Sequence, residues 1–202
     1  MKMKSGYIIA ACALILALFI CACGCTGTDE ETDPAITENI NNLFSGDQSV
    51  SKAAAEELIK TGEPAVIPLT KVFSKGDQTA STWAAVALCT IGTPSVNPLV
   101  ILLSSANEDE RKWAENSLAC LGTTAVPALI DEVETGTDTS REAATIAIIK
   151  IGEPALPLLQ LELNVGDEKY SAEIGDLIRS IYATTGLKER LSENTTSTGE
   201  IA

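Results

Sequence analysis

The chain has 202 residues, of which 45% are hydrophobic and only 4% aromatic, enough apolar material for a core of small and aliphatic side chains. Its 28 acidic residues outnumber 14 basic ones; a surface with a formal net charge of −14 repels phosphate backbones, so nucleic acid is excluded as an expected partner. Histidine does not occur, which removes the commonest general base, the usual zinc ligand and every Ser-His or Cys-His nucleophile pair.

The amino-terminal stretch 1–25 reads as an export signal. Lys2 and Lys4 supply the positive n-region, and an uncharged apolar run from Tyr7 to Ala22 supplies the h-region. That run falls just short of the roughly 17–25 residues that span a bilayer, leaving an uncleaved anchor as the alternative. Its end, Ile20-Cys-Ala-Cys-Gly-Cys-Thr-Gly27, resembles the lipobox of prokaryotic lipoproteins. The resemblance implies a lipidated cysteine at Cys23 or Cys25 and a location on the extracytoplasmic face of the cell membrane. Cys23 has Ile20 at the aliphatic position, whereas Cys25 has only Ala22 there but Gly24 immediately before it. Residues 26–33 are acidic and nearly free of apolar side chains, as a flexible tether would be.

From residue 34 to 184 the chain is periodic. The phrase Thr61-Gly-Glu-Pro-Ala-Val-Ile-Pro-Leu69 returns at Ile91–Leu99, Leu121–Leu129 and Ile151–Leu159, with glycines at 62, 92, 122 and 152 and no insertion. A fixed period of 30 residues marks stacked supersecondary units. Within each unit a first helix carries the apolar stripe Ala54, Leu58, Thr61, or its equivalents Ala84, Leu88, Ile91; Ala114, Leu118, Leu121; and Ala144, Ile148, Ile151. The glycine is expected to end that helix in the left-handed cap conformation. The prolines that follow (64, 94 and 154, then 68, 98, 127 and 157) suit a bend and the first turn of a second helix. Val66, Leu69 and Phe73 with their equivalents, ending at Leu163, form the second inward stripe. Gly46-Asp-Gln48 and Gly76-Asp-Gln78 are read as turns whose aspartates cap the next helix, as are Gly136 and Gly166 with Asp167. The array should open with a lone second helix at 34–45 and close with a lone first helix at 171–183.

This pattern resembles the short HEAT-like repeats also found in phycobilisome-type bilin lyases, most closely at Trp83-Ala-Ala-Val-Ala-Leu-Cys-Thr-Ile-Gly-Thr-Pro94. The expected fold is therefore all-α: a right-handed α-solenoid, a HEAT-like superhelix of about five stacked helix pairs. The lyase association implies chromophore handling as one alternative function. A structural envelope component is another.

Residues that could carry chemistry are weighed against structural roles. Cys89 and Cys120 fall on neighbouring first helices one residue out of register and are expected to be buried, unbridged thiols, since packed helices sit about 8–10 Å apart. Trp83 and Trp113, one period apart, should stack between units. Glu108-Asp-Glu110 opens a helix, where negative charge is favourable. Asp131 and Glu134 lie one turn apart on a solvated face. The Gly-Asp-Gln turns lack the alternating oxygen ligands of a calcium loop, so no metal and no cofactor are expected.

Burying 66, 69 and 73 leaves 67, 71 and 74 facing solvent, and the row so formed is the candidate partner-binding surface. It comprises Ile67, Lys71, Asn97, Ile101, Asp131, Glu134 and Leu161, with Ser74, Ser104, Pro127, Pro157 and Asn164 beside them. The polar tail 185–202 contains a glycosylation sequon at Asn194. The expected function is non-catalytic. The chain reads as an exported, membrane-tethered scaffold that binds a protein or peptide on the concave solenoid face, with no small-molecule substrate.

Overall fold

The computed structural model describes residues 33–163 and 168–186. The export signal with Cys23 and Cys25, nearly all of the tether, Asn164, the Gly166-Asp167 turn and the tail with Asn194 lie outside the described residues. The chain divides into two units, Met1–Thr32 and Asp33–Ala202, and every described helix belongs to the second.

Ten α-helices are described: α1 (Pro34–Asn42), α2 (Gln48–Thr61), α3 (Val66–Thr70), α4 (Gln78–Ile91), α5 (Val96–Leu102), α6 (Glu108–Leu121), α7 (Val126–Thr135), α8 (Asp138–Ile151), α9 (Leu156–Glu162) and α10 (Glu168–Thr185). The even-numbered first helices pack on one another in series, and so do the odd-numbered second helices. Each first helix also packs on the second helices beside it. The repeat unit is thus an α-solenoid with two layers of helices. The lone second helix α1 opens it, and α10, longer at both ends than the sequence suggested, closes it.

Side-chain oxygens start the helices. The Asp47 carboxylate accepts from the Ser49 amide at 2.8 Å and Asp77 from the Ala80 amide at 2.8 Å. Asn107 does the same for the Asp109 amide at 2.9 Å. At α8 the Thr137 hydroxyl accepts from the Ser140 amide while the Ser140 hydroxyl accepts from the Thr137 amide, a reciprocal capping box. Each device satisfies helix-end donors that would otherwise be left without partners.

The helix-ending glycines adopt a backbone different from the expected left-handed cap. Gly92 sits at φ +84°, ψ −134°, and its equivalents in the other three units are close to it. This region is almost closed to residues with a Cβ. A Cβ at Gly92 would meet nothing within 4 Å, so the requirement is backbone conformation, not space. The true left-handed cap appears between units instead, at Gly76 (φ +71°, ψ +9°). Gly136 is different again: its φ of −69° suits any residue, but a Cβ there would collide with the Glu132 carbonyl. After each helix-ending glycine a 3₁₀ turn leads into the second helix, as at Thr93–Ser95.

The core follows the period. Leu58, Leu88, Leu118 and Ile148 are fully buried in register, as are Leu69, Leu99, Leu129 and Leu159 on the second helices. Each such side chain contributes about 1.5–3 kcal/mol of burial. Ala54, Ala84, Ala114 and Ala144 are buried where first helices approach one another, and their small size permits that approach. The stripes are shorter than the sequence suggested. Thr61 is exposed, and Ile91, Leu121 and Ile151 are half-buried. Leu163 lies just past the end of α9 beside Gly175 and remains 37% exposed, because no later second helix is stacked on α9 among the described residues.

Cys89 and Cys120 form a disulfide between α4 and α6, contrary to the expectation of separate buried thiols. Between facing residues, a Cα separation is shorter than the distance between the axes of the helices that carry the atoms. Cα atoms ride about 2.3 Å from the axis, so facing atoms on helices 8–10 Å apart come within roughly 3.4–5.4 Å. The observed Cα separation of 5.9 Å is ordinary for such a pair. The tryptophans also pair differently. Trp113 stacks on Phe73 with ring centroids 5.7 Å apart and planes 12° from parallel, so its ring partner comes from the preceding second-helix segment and is not Trp83.

Candidate protein-interaction face

The row anticipated from the sequence lies along the second-helix layer. Ile67 (α3), Asn97 and Ile101 (α5), Asp131 and Glu134 (α7) and Leu161 (α9) are all exposed; so is Lys71, in the 3₁₀ turn that continues α3. Ile101 and Leu161 are 71% and 68% exposed. Positions 71, 101, 131 and 161 are equivalent by the period, and their helices α3, α5, α7 and α9 are neighbours in sequence of stacking. The row therefore presents Lys, Ile, Asp and Leu in that spatial order.

Charge pairing separates the two layers, a feature missed in the sequence. Every ion pair among the described residues joins side chains of first helices. Within helices these are Lys52–Glu56, Glu57–Lys60, Glu108–Lys112, Lys169–Glu173 and Asp176–Arg179. Between helices, Lys150 of α8 reaches Glu115 of α6 at 2.7 Å, and Arg141 of α8 reaches Glu173 of α10 at 2.7 Å. Most of these pairs are legible as opposite charges three or four residues apart on one helix face. Lys71, Lys75, Asp131 and Glu134 take part in none of them. All the ion pairs among the described residues thus fall in the first-helix layer, and the second-helix row keeps its charges outside such pairs.

Local electrostatics differ along that row. Tyr170 of α10 is buried beside α7 and α9, and its hydroxyl is pushed up to about 12 by burial, then by the neighbouring carboxylates Glu162, Glu134 and Asp131. On the first-helix side, the Ser49 hydroxyl with the Ser49 and Val50 amides holds the Asp47 carboxyl below its ordinary value. The depressions on that side are shallow and open. One of about 240 Å³ between α6 and α8 is lined by Glu108, Arg111, Lys112 and Glu115, of which Glu108, Lys112 and Glu115 are in ion pairs and Arg111 donates to the Ser105 carbonyl. Among the described residues no three His, Cys, Asp or Glu side chains are grouped to hold a metal, and no single helix is long and apolar enough to cross a membrane.

No known protein-family profile and no curated protein matches the chain. Among solved structures it is similar to a designed armadillo repeat protein in complex with a (KR)4 peptide, at 16% identity, with 72% of this chain and 81% of the other covered and a TM-score of 0.30. It is also similar to computationally designed armadillo repeat proteins for modular peptide recognition, at 18% identity over the same shares, with a TM-score of 0.29. At these values the likeness carries no argument about this chain. The architecture of this chain rests on its own helix packing: it is a solenoid of helical repeats.

Proposed function

We propose that the chain is a non-catalytic interaction scaffold, exported and tethered to the membrane, that takes a protein or peptide partner on the second-helix face. The observation that carries this reading is the segregation of charge. Every ion pair among the described residues lies in the first-helix layer, and the second-helix layer offers unpaired Lys71, Asp131 and Glu134 around exposed Ile67, Ile101 and Leu161. Exposed aliphatics flanked by free charges are what a protein interface uses: apolar contacts for affinity and charges for register. In this reading the second-helix face is the concave one. The Cys89–Cys120 bridge supports export, since such bonds persist in oxidising compartments and are rare in the cytosol.

A photo-crosslinking residue at position 101 tests the face, with Val86, exposed on α4 of the other layer, as the control position. Adducts from position 101 and not from position 86 are expected in the native membrane. No adduct from position 101, or equal yields from both, overturns the reading. Tethering is tested by fractionating a Cys23→Ser, Cys25→Ser variant, which should leave the membrane; retention would point to an uncleaved apolar anchor.

A further inference from the structure

The four equivalent positions of the second-helix row do more than mark a surface. They set an order of side-chain types, Lys71, Ile101, Asp131 and Leu161, one per helix, and none of the charged members is satisfied within the described residues. Lys75 and Glu134 lie one turn further along α3's continuation and α7, so each charged position is doubled with its own sign. Neighbouring packed helices stand about 8–10 Å apart. A polyproline II segment has about three residues per turn and rises roughly 3.1 Å per residue, which places every third side chain on one face about 9 Å apart. The two repeats match.

We infer that the row reads an extended, polyproline II-like peptide segment whose every third residue is, in order, acidic, apolar, basic and apolar. The inference rests on the proposed interaction face and specifies its partner. The acidic side chain meets Lys71, the first apolar one covers Ile101, the basic one meets Asp131 and Glu134, and the second apolar one covers Leu161. A prearranged polyproline II ligand loses little conformational freedom on docking, which favours it over a flexible chain. A second copy of this chain is the less favoured occupant, because two chains that each carry a formal net charge of −14 repel.

The test uses the full chain in mild detergent and labelled peptides about ten residues long. One has Glu, Leu, Lys and Leu at every third position with prolines between; a second has the reverse order, since chain direction is open. Charge-exchanged versions of both, with Lys and Glu traded, complete the set. One of the first two should bind about tenfold more tightly than either charge-exchanged peptide at low salt. The quadruple variant Lys71→Glu, Lys75→Glu, Asp131→Lys, Glu134→Lys should invert that ranking. Ile101→Ser should weaken the preferred peptide by about tenfold with an unchanged circular dichroism spectrum, because the side chain is 71% exposed and supports no core.

Equal binding of all peptides, or a ranking the charge swap leaves unchanged, overturns the inference. So does concentration-dependent dimerisation abolished by the same swap, which would make a second copy the occupant. Adducts from position 101 without any peptide preference would refute this partner and leave the interaction face standing. Absence of adducts would remove both.

Discussion

Cutting the Cys89–Cys120 bridge should cost a large part of the stability of the repeat body. The two cysteines are 31 residues apart in sequence. In the chain-entropy treatment, closing a loop of that length removes about 12 cal/mol/K from the unfolded ensemble, or about 3.7 kcal/mol at 25 °C. For a body of this size that corresponds to a fall of roughly 7–15 °C in Tm. The assay is urea and thermal unfolding of oxidised protein, of protein in reductant, and of the Cys89→Ala, Cys120→Ala variant. The reduced protein and the variant should coincide, and the variant should ignore reductant. Because repeat arrays open unit by unit, amide exchange should rise most in α4 and α6. If oxidised and reduced protein agree to within about 1 kcal/mol, or if mass analysis finds two free thiols in the oxidised sample, the reasoning fails.

Three further outcomes follow from local features. Gly92→Ala should destabilise by about 1–3 kcal/mol in chemical unfolding, because the backbone at φ +84°, ψ −134° is hostile to a Cβ although the space is empty; a neutral effect would refute the conformational argument. Thr137→Ala should cost about 1 kcal/mol and fray the start of α8, read by amide exchange at residues 138–141. The Tyr170 hydroxyl titrates near 12 in the folded state and near 10.0 when unfolded, so its contribution is intact below pH 10 and is lost as pH rises towards 12. Stability measured across that window should fall in the native sequence and fall less in Tyr170→Phe; equal slopes would refute the assignment.

The two-layer fold was legible because one phrase recurs without insertions, so the register of Leu58, Leu88, Leu118 and Ile148 could be read directly. The exposed row was legible for the same reason: once 66, 69 and 73 are placed inside, the positions of Ile67, Lys71, Ile101, Asp131 and Leu161 follow from helical geometry. Three-dimensional pairing was not. The bridge between Cys89 and Cys120 depends on how closely Ala-lined first helices approach, and a one-residue offset in sequence does not reveal it. Trp113 found Phe73 across the layers, a choice that period alone cannot distinguish from Trp83. The separation of ion pairs was half visible, in the Lys and Glu spacings of α2 and α6. The cross-helix pairs Lys150–Glu115 and Arg141–Glu173 needed the stacking.

An uninterrupted period also makes the molecule a ruler. Each added or removed block of 30 residues would lengthen or shorten the second-helix row by one helix while leaving the phase of every other position intact. A single residue gained inside a first helix would instead rotate everything beyond it by about 100° and scramble the row. Growth by whole units is therefore the route by which such a chain can change how long a segment it measures without redesigning the core that holds the scale.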